Sequence, residues 1–382
     1  MSPASKREYA ESIKSRYHKA NRDNKTKILD EFCSICGYNR KYAIRLLSDR
    51  RKKAFTKSLR RGRKKKYTHH QILPILFDLW TKTNLPCSKR FKAIIPLWLP
   101  FYPYDIDEEA YYDLLTISPA TIDRLMKPNR SKYQKAGLST TRPGSLIKKH
   151  IPIATNQWDE SRPGFLEADS VAHCGTSMGG SFVFTINCVD IATTWTEQFA
   201  VWGKGEKGVV NALVNIENRL PFELLGFDCD NGSEFLNWHI VRHFLKRKKP
   251  VHFTRSRAYY KNDNAHIEEK NWTHIRQYLG YQRFDKIELI DLLNDLYCNE
   301  WRLYFNFFIP SVKLTAKNRI GAKTLKIYDK PKTPFQRVLD SPLIQPNQKV
   351  ELQNIFETLN PFELQKSMKQ KIAKVIETAK LE

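Results

Sequence analysis

Three acidic residues, Asp169, Asp230 and Glu268, occupy positions from which carboxylates could hold metal ions. Asp169 lies inside the apolar segment 165–172 (FLEADSVA), where a carboxylate is costly to bury without a purpose. Asp230 comes just after another apolar segment, and Glu268 lies in the first turn of a predicted helix. Carboxylates that converge repel one another, so such a cluster persists only with cations between them. Oxygen ligands with open positions suit Mg²⁺ or Mn²⁺.

The chemistry that such a trio predicts is phosphoryl transfer with two metal ions. Two ions roughly 4 Å apart can activate water or a 3′-hydroxyl and stabilise the leaving 3′ oxygen in an in-line displacement at phosphorus. Asp228 is the nearest alternative to Asp230, but it comes earlier in its strand. Glu269 is the alternative to Glu268, turned by roughly 100° around the helix.

The elements around these residues predict an α/β fold with a mixed sheet. The segments 165–172, 181–190 and 194–201 have the composition of strands and form an antiparallel meander. The remaining predicted elements are a helix over 204–220, a strand over 224–228, a helix over 237–246, a strand over 251–254 and a helix over 265–279. This order, βββ-α-β-α-β-α, is that of the ribonuclease H fold. The first and fourth strands are neighbours in that fold and the last helix crosses beside them, so the three carboxylates can converge.

The charge distribution indicates a polyanionic partner. The chain has 382 residues, a mass of 44.9 kDa and a formal net charge of +25. Residues 1–66 hold 22 Lys and Arg against 6 Asp and Glu, whereas residues 161–300 hold 16 against 18. Basic arms that neutralise phosphates around a slightly acidic centre suit an enzyme acting on nucleic acid. The first residues lack the apolar core of a signal peptide, the apolar runs are too short to span a membrane, and seven scattered cysteines fit a reducing cytoplasm.

Residues 1–49 are predicted to form a helix-turn-helix module. An amphipathic helix is followed by a break at Gly37 and by a basic helix over residues 39–47. We expect Arg40, Lys41 and Arg45 to project outward from this second helix and to bind DNA; an ordinary helical hairpin is the alternative. Cys33 and Cys36 have no nearby Cys or His pair at zinc-finger spacing, so they are interpreted as buried small side chains.

Residues 50–66 form a basic linker with 11 Lys and Arg and no acidic residue. So dense a block is expected to lie along phosphates, and its Arg-Gly-Arg sequence is slim enough to enter a minor groove; a solvated linker is the alternative. The DNA-binding candidates in this segment are Arg50, Arg51, Arg60, Arg61, Arg63 and Lys64. Residues 67–130 are predicted to be a second helical DNA-binding module, and residues 131–160 a second linker.

Three sequence blocks resemble a known family of enzymes. Residues 164–169 (GFLEAD), 230–235 (DNGSEF) and 261–271 (KNDNAHIEEKN) look like the catalytic blocks of integrase-core DDE transposases, the bacterial insertion-sequence enzymes of the retroviral-integrase superfamily. The resemblance implies a ribonuclease H-like catalytic core over 161–300, with Asp169, Asp230 and Glu268 as catalytic residues and ligands of two Mg²⁺ (or Mn²⁺) ions. The family's Glu-x-x-Asn pattern selects Glu268 over Glu269.

Two lysines flank the third acidic residue. Lys261 and Lys270 could grip the DNA backbone, and solvated lysines are the equally weighted alternative. Residues 301–382 are predicted to be a small basic C-terminal region. Within it, residues 316–339 are expected to form extended strands and turns that bind DNA, and residues 361–379 to form a helix that packs on a neighbour or on another copy of the chain.

Together these features predict a DNA transposase in the bacterial cytoplasm, associated with the nucleoid. It is expected to bind the terminal repeats of its element and target DNA, to cleave strands, and to transfer 3′-hydroxyl ends. Joining two DNA ends requires at least two active sites, so a homo-oligomer on DNA is expected, and no membrane partner. The alternatives are a catalytically inactive DNA-binding protein derived from a transposase and a ribonuclease H-type RNA nuclease.

Overall fold

The computed structural model describes residues 1–48, 66–130, 161–229, 234–235, 237–255, 265–320 and 323–380. The chain divides into two compact units, residues 1–66 and residues 67–382. Several predicted functional residues lie outside the described residues: Asp230, Lys261, Arg50, Arg51, Arg60, Arg61, Arg63 and Lys64.

The first unit consists of three helices. They are α1 (Pro3–Lys19), α2 (Arg22–Cys36) and α3 (Arg40–Leu47). Gly37 ends α2 in the left-handed conformation, with a φ of 67° that suits glycine, and donates its N–H to the carbonyl of Cys33. Asn39 then caps α3 by accepting the N–H of Lys41 at 3.0 Å. The predicted helix, turn and basic helix are therefore present, and α1 is a helix that the sequence analysis did not predict.

A five-stranded mixed sheet lies at the centre of the second unit. Its strands are β1 (Phe165–Ala172), β2 (Val183–Asp190), β3 (Thr196–Trp202), β4 (Gly226–Cys229) and β5 (His252–Arg255). The order across the sheet is β3-β2-β1-β4-β5. The first three strands are antiparallel, and β1-β4 and β4-β5 are parallel pairs. This topology confirms the predicted α/β fold with a ribonuclease H-like mixed sheet.

The two faces of the sheet are covered by different sets of elements. Because side chains alternate along a strand, Leu166 and Ala168 of β1 enter one core, whereas Val171 enters another. Helices α8 (Glu206–Glu217) and α9 (Trp238–Leu245) cover the first face. The second face carries Asp169.

A continuous helical segment crosses this second face. It runs from α10 (Ala265–Lys270) through a π-helix (Asn271–Arg276) into α11 (Gln277–Leu279), and we call it the Glu268 helix. The N–H of Ile267 donates to Glu167 of β1 at 3.2 Å, and Arg276 donates to the carbonyl of Ala172 at 2.7 Å. These two contacts hold the segment along the length of β1.

The remaining helices build a shell around the second face. Four of them precede the sheet in the sequence: α4 (Ile72–Lys82), α5 (Ser88–Trp98), α6 (Glu108–Thr116) and α7 (Pro119–Arg130). A second segment follows the Glu268 helix and runs from α12 (Leu289–Leu296) through two π-helices (Tyr297–Trp301 and Tyr304–Phe308). Both sets share one hydrophobic core with the Glu268 helix. The ring of Trp98 lies edge-on to Tyr304 at 6.0 Å and to Phe362 at 4.9 Å. Residues 67–130 therefore pack as part of the second unit.

The C-terminal region departs in part from the predicted strands and turns. An antiparallel hairpin of β6 (Leu314–Ile320) and β7 (Lys323–Tyr328) is present. The expectation of extended structure up to residue 339 is wrong, because α13 (Pro334–Asp340) is a helix opened by a capping box between Thr333 and Gln336. Helices α14 (Pro346–Glu357) and α15 (Pro361–Lys380) follow, and Met368 of α15 is buried in the shared core.

Candidate active site

Asp169 is held in a defined orientation on the second face of the sheet. It lies in β1, the central strand, and is partly buried. Its Oδ1 accepts the N–H of Ser170 at 2.7 Å, and its Oδ2 accepts the side-chain amide of Asn271 at 2.6 Å. Each of its two oxygens therefore accepts a hydrogen bond, which fixes the orientation of the carboxylate.

Asn271 connects Asp169 to the helix that carries Glu268. Glu268 is exposed and precedes Asn271 by three residues in the Glu268 helix. Residues three apart lie on one face of a helix, so the face that carries Glu268 is the one turned toward Asp169. The structure brings the helix of the third predicted carboxylate beside the first.

The second predicted carboxylate lies outside the described residues. Its alternative, Asp228, is buried in β4 directly beside Glu167 of β1, and its Oδ1 accepts the hydroxyl of Thr254 at 2.6 Å. The last described pair between these strands is Ala168 with Cys229. In the sequence, Asp169 follows Ala168 and Asp230 follows Cys229.

The alternative third carboxylate has a different partner. Glu269 faces the guanidinium of Arg90, with its Oε1 3.7 Å from Nη1. Arg90 belongs to α5, on the side of the Glu268 helix that faces the helical shell. Glu269 is therefore directed toward an ion pair with the shell, whereas Glu268 is on the face shared with Asn271.

Lys270 is buried, with 4% of its surface exposed. Burial lowers the pKa of its ammonium to about 8; Glu269 opposes this effect, and the nearby Arg90 and Arg337 add to it. A buried ammonium cannot reach a phosphate in this conformation. We therefore leave Lys270 out of the proposed DNA contacts.

Glu234 is a further acidic residue beside the site. It is buried, and its Oε1 accepts the hydroxyl of Ser170, the residue next to Asp169, and the ammonium of Lys204 at 2.7 Å. Its Oε2 is buried and has no hydrogen-bond partner among the described residues. The sequence block DNGSEF contains Glu234, but only the folded chain shows that it supports the strand of Asp169.

Two buried amides that the sequence analysis did not single out also lie on this face. Asn187 of β2 is directly opposite Asp169, and Gln198 of β3 is directly opposite Asn187. Both side chains are 0% exposed. For Asn187, a polar residue at an inward position of a largely apolar strand was the available signal, whereas Gln198 follows Thr196 and Glu197 and is not marked by the local pattern.

The α3 residues predicted to bind DNA are on the surface of the first unit. Arg40, Lys41 and Arg45 are all exposed. Arg40 forms an ion pair with Asp30, and the guanidinium of Arg45 lies over the ring of Tyr42 at 5.1 Å. Of the two cysteines predicted to be buried, Cys36 lies in the core of this unit, whereas Cys33 is only partly buried against it.

The strand order β3-β2-β1-β4-β5, with helices on both faces of the sheet, is that of a ribonuclease H-like core. No protein-family profile matches the chain. An uncharacterized protein of Sinorhizobium fredii (strain NBRC 101917 / NGR234), y4rM, is 39% identical over 350 residues, which cover 88% of this chain and 96% of that protein. The chain belongs to the family of y4rM.

Two solved structures align with the chain at low similarity. One is the simian T-cell lymphotropic virus intasome in complex with the PP2A regulatory subunit B56 gamma, with a TM-score of 0.33 and 12% identity over 62% of this chain and 72% of that one. The other is the catalytic core domain of BIV integrase, with a TM-score of 0.28 and 14% identity over 47% of this chain and 95% of that one. At these scores the alignments add nothing to the strand order itself. Among the described residues, no helix has the length and hydrophobicity needed to cross a lipid bilayer.

Proposed function

We propose that this protein is a DNA transposase that cleaves and joins DNA strands by two-metal phosphoryl transfer. The observation that carries the proposal is the position of Asp169 on the central strand, tied through Asn271 to the helix of Glu268. Asp230 is proposed to complete the trio of carboxylates, because in the sequence it directly follows β4, the parallel neighbour of β1.

The donor set fits hard divalent cations. Asp169, Asp230 and Glu268 offer only carboxylate oxygens, which Mg²⁺ and Mn²⁺ prefer. Bound there, two such ions would lower the pKa of a coordinated water or 3′-hydroxyl and neutralise charge at the reacting phosphorus.

The chain's own residues then orient the reactants. Asp169 is held by the N–H of Ser170 and the amide of Asn271, so its carboxylate keeps one orientation. Glu268 lies in the first turn of its helix, on the face that also carries Asn271, and is exposed. Orientation of this kind is what an in-line displacement requires.

Recognition of DNA is proposed for the basic regions. Arg40, Lys41 and Arg45 on α3 are exposed and are proposed to contact the element's terminal repeats. The basic linker and Lys261 keep their predicted role as phosphate contacts. An oligomer on DNA follows from the need to join two ends.

Metal-dependent strand cleavage tests the proposal. Purified protein is incubated with supercoiled plasmid, and with a duplex carrying the sequence that flanks its gene, in Mn²⁺ or Mg²⁺. We expect nicking and strand transfer with wild type and their loss in Glu268→Gln, with Glu269→Gln as the matched control that retains them. Asp230→Asn and Asp228→Asn form a second matched pair, since an Asn at 228 can still accept the hydroxyl of Thr254.

The outcomes separate the candidate functions. If wild type and Asp230→Asn bind DNA equally and neither cuts, the protein is an inactive DNA-binding derivative and the proposal is wrong. If wild type cleaves the RNA strand of an RNA–DNA hybrid and leaves duplex DNA intact, the ribonuclease alternative holds.

A further inference from the structure

A chain of three side-chain amides leads from the far edge of the sheet to Asp169. Gln198 donates its amide N–H to Oδ1 of Asn187 at 2.9 Å, and Asn187 donates to Oδ1 of Asn271 at 2.7 Å. Asn271 in turn donates to Oδ2 of Asp169 at 2.6 Å. Because Asp169, Asn187 and Gln198 are direct cross-strand neighbours, the backbone register of three strands sets the spacing of the chain.

The direction of these hydrogen bonds is fixed by their last member. An ionised carboxylate can only accept, so Asn271 must present its NH₂ group to Asp169. The carbonyl oxygen of Asn271 then faces Asn187, which must donate, and the same argument passes on to Gln198. All three amide dipoles therefore have their positive ends toward the carboxylate.

Fold stability does not account for these two residues. Asn187 and Gln198 are 0% exposed on the inner face of β2 and of the edge strand β3, where apolar side chains pack best. The outer end of this hydrogen-bond chain is also unsatisfied, because Oε1 of Gln198 is buried without a hydrogen-bond partner among the described residues. An orphaned acceptor in the interior is an unfavourable feature, and such features are most often kept where they support a functional site.

We propose that Asn187 and Gln198 are positioning residues that hold Asp169 in the orientation that binds metal; the inference rests on the function proposed above. Neither residue touches the metal or the substrate. Asn187 fixes the amide plane of Asn271, and Gln198 fixes that of Asn187. Partners of metal ligands typically alter metal affinity by roughly 10–100-fold when they are replaced.

The test measures metal binding separately from cleavage. Mn²⁺ affinity of the DNA-bound protein is titrated by calorimetry, and the Mn²⁺ concentration for half-maximal nicking is measured on the same samples. Asn187→Leu is expected to raise the dissociation constant for Mn²⁺ and the Mn²⁺ concentration for half-maximal nicking by roughly 10–100-fold. Gln198→Met is expected to raise both by a smaller factor. Asn187→Asp keeps the shape of the side chain but can only accept hydrogen bonds when it is ionised. Asn271 must then turn its NH₂ group toward residue 187 and its oxygen toward Asp169. We therefore expect this variant to lose at least as much Mn²⁺ affinity as Asn187→Leu.

Thr185→Val is the matched control. Thr185 is also 0% exposed, lies in β2 on the same face as Asn187, and bonds to His173 and Tyr297 instead of the amide chain. It should lower the unfolding temperature and leave the Mn²⁺ requirement unchanged. Gln198→Met keeps the test usable if the Asn187 variants do not fold.

The results distinguish this inference from the proposed function. If wild type binds Mn²⁺ and cleaves, and the Asn187 and Gln198 variants need the same Mn²⁺ concentration as Thr185→Val, the positioning role is wrong and the proposed function stands. If wild type neither binds Mn²⁺ nor cleaves, both are overturned.

Discussion

At the scale of single residues, burial determines the charge that His173 can carry. Its ring is 0% exposed, stacks on Phe284 at 4.7 Å and shares a hydrogen bond with Thr185 at 2.9 Å. Burial lowers its pKa from 6.5 to about 3, and the charge of Arg276 adds to the effect. The structure therefore gives this histidine a buried, structural position.

The shifted pKa predicts a pH dependence of stability. The unfolded chain takes up a proton at His173 below pH 6.5, whereas the folded chain does not until about pH 3, so the free energy of unfolding falls as the pH drops through this window. His173→Phe keeps the stacking on Phe284 and removes the titration.

Urea unfolding at pH 7 and pH 5 measures this difference. We expect wild type to lose about 1–2 kcal/mol more than His173→Phe between the two pH values, since one pKa unit corresponds to about 1.4 kcal/mol. Equal losses in both proteins would show that His173 is not the group responsible.

At the scale of elements, the strands could be predicted and the amide chain could not. The alternation in β1 and the apolar run of β2 identify strands directly, and three acidic residues next to such segments indicate a site. Asn187, Gln198 and Asn271 meet only because three strands pair in one register and a helix crosses them. Register between distant segments is not encoded in local pattern, so Asn187 and Gln198 were missed, whereas Asn271 could be found from its position three residues after Glu268.

Helix α3 carries the element-scale prediction for DNA binding. Its exposed Arg45 is proposed to contact a phosphate or a base edge, so Arg45→Ala should weaken binding to terminal-repeat DNA. If the contact is to phosphate, the slope of log affinity against log salt should fall by about one.

Arg7→Ala provides the control for this prediction. Arg7 is also exposed but belongs to α1 instead of the predicted recognition helix. Fluorescence anisotropy at several salt concentrations compares the two variants. Equal losses of affinity would mean that α3 is not a recognition helix and that only the net charge matters.

At the scale of the whole molecule, the segment predicted as a second DNA-binding module shares its core with the catalytic region. Local sequence shows that residues 72–130 are helical but not what their apolar faces pack against. Trp98 of α5 is 0% exposed and contacts residues more than two hundred positions later in the chain. A DNA-binding role for this segment stays a prediction.

The shared core predicts a large and cooperative effect of one substitution. Trp98→Ala should lower the free energy of unfolding by about 3–5 kcal/mol, as is typical for a large aromatic side chain removed from a core. The unfolding transitions of the helical shell and of the sheet should shift by the same amount, because both belong to the second unit.

Trp238→Ala is the matched control, since Trp238 is 48% exposed. Its effect on the free energy of unfolding should stay within about 0.5 kcal/mol, as is typical of surface substitutions. Denaturant unfolding followed by circular dichroism and by hydrogen exchange compares the two. Separate transitions for residues 72–130 and for the sheet would contradict a common core.

The measurement that tests the account most directly is the number of Mn²⁺ ions bound by the DNA-bound protein, determined by electron paramagnetic resonance during a titration. We expect about two ions per active site in wild type and in Glu269→Gln. Asp169→Asn, Asp230→Asn and Glu268→Gln should each lose at least one ion at the same Mn²⁺ concentration. If all three variants bind as many Mn²⁺ ions as wild type does, the claim that these carboxylates form the metal site is contradicted.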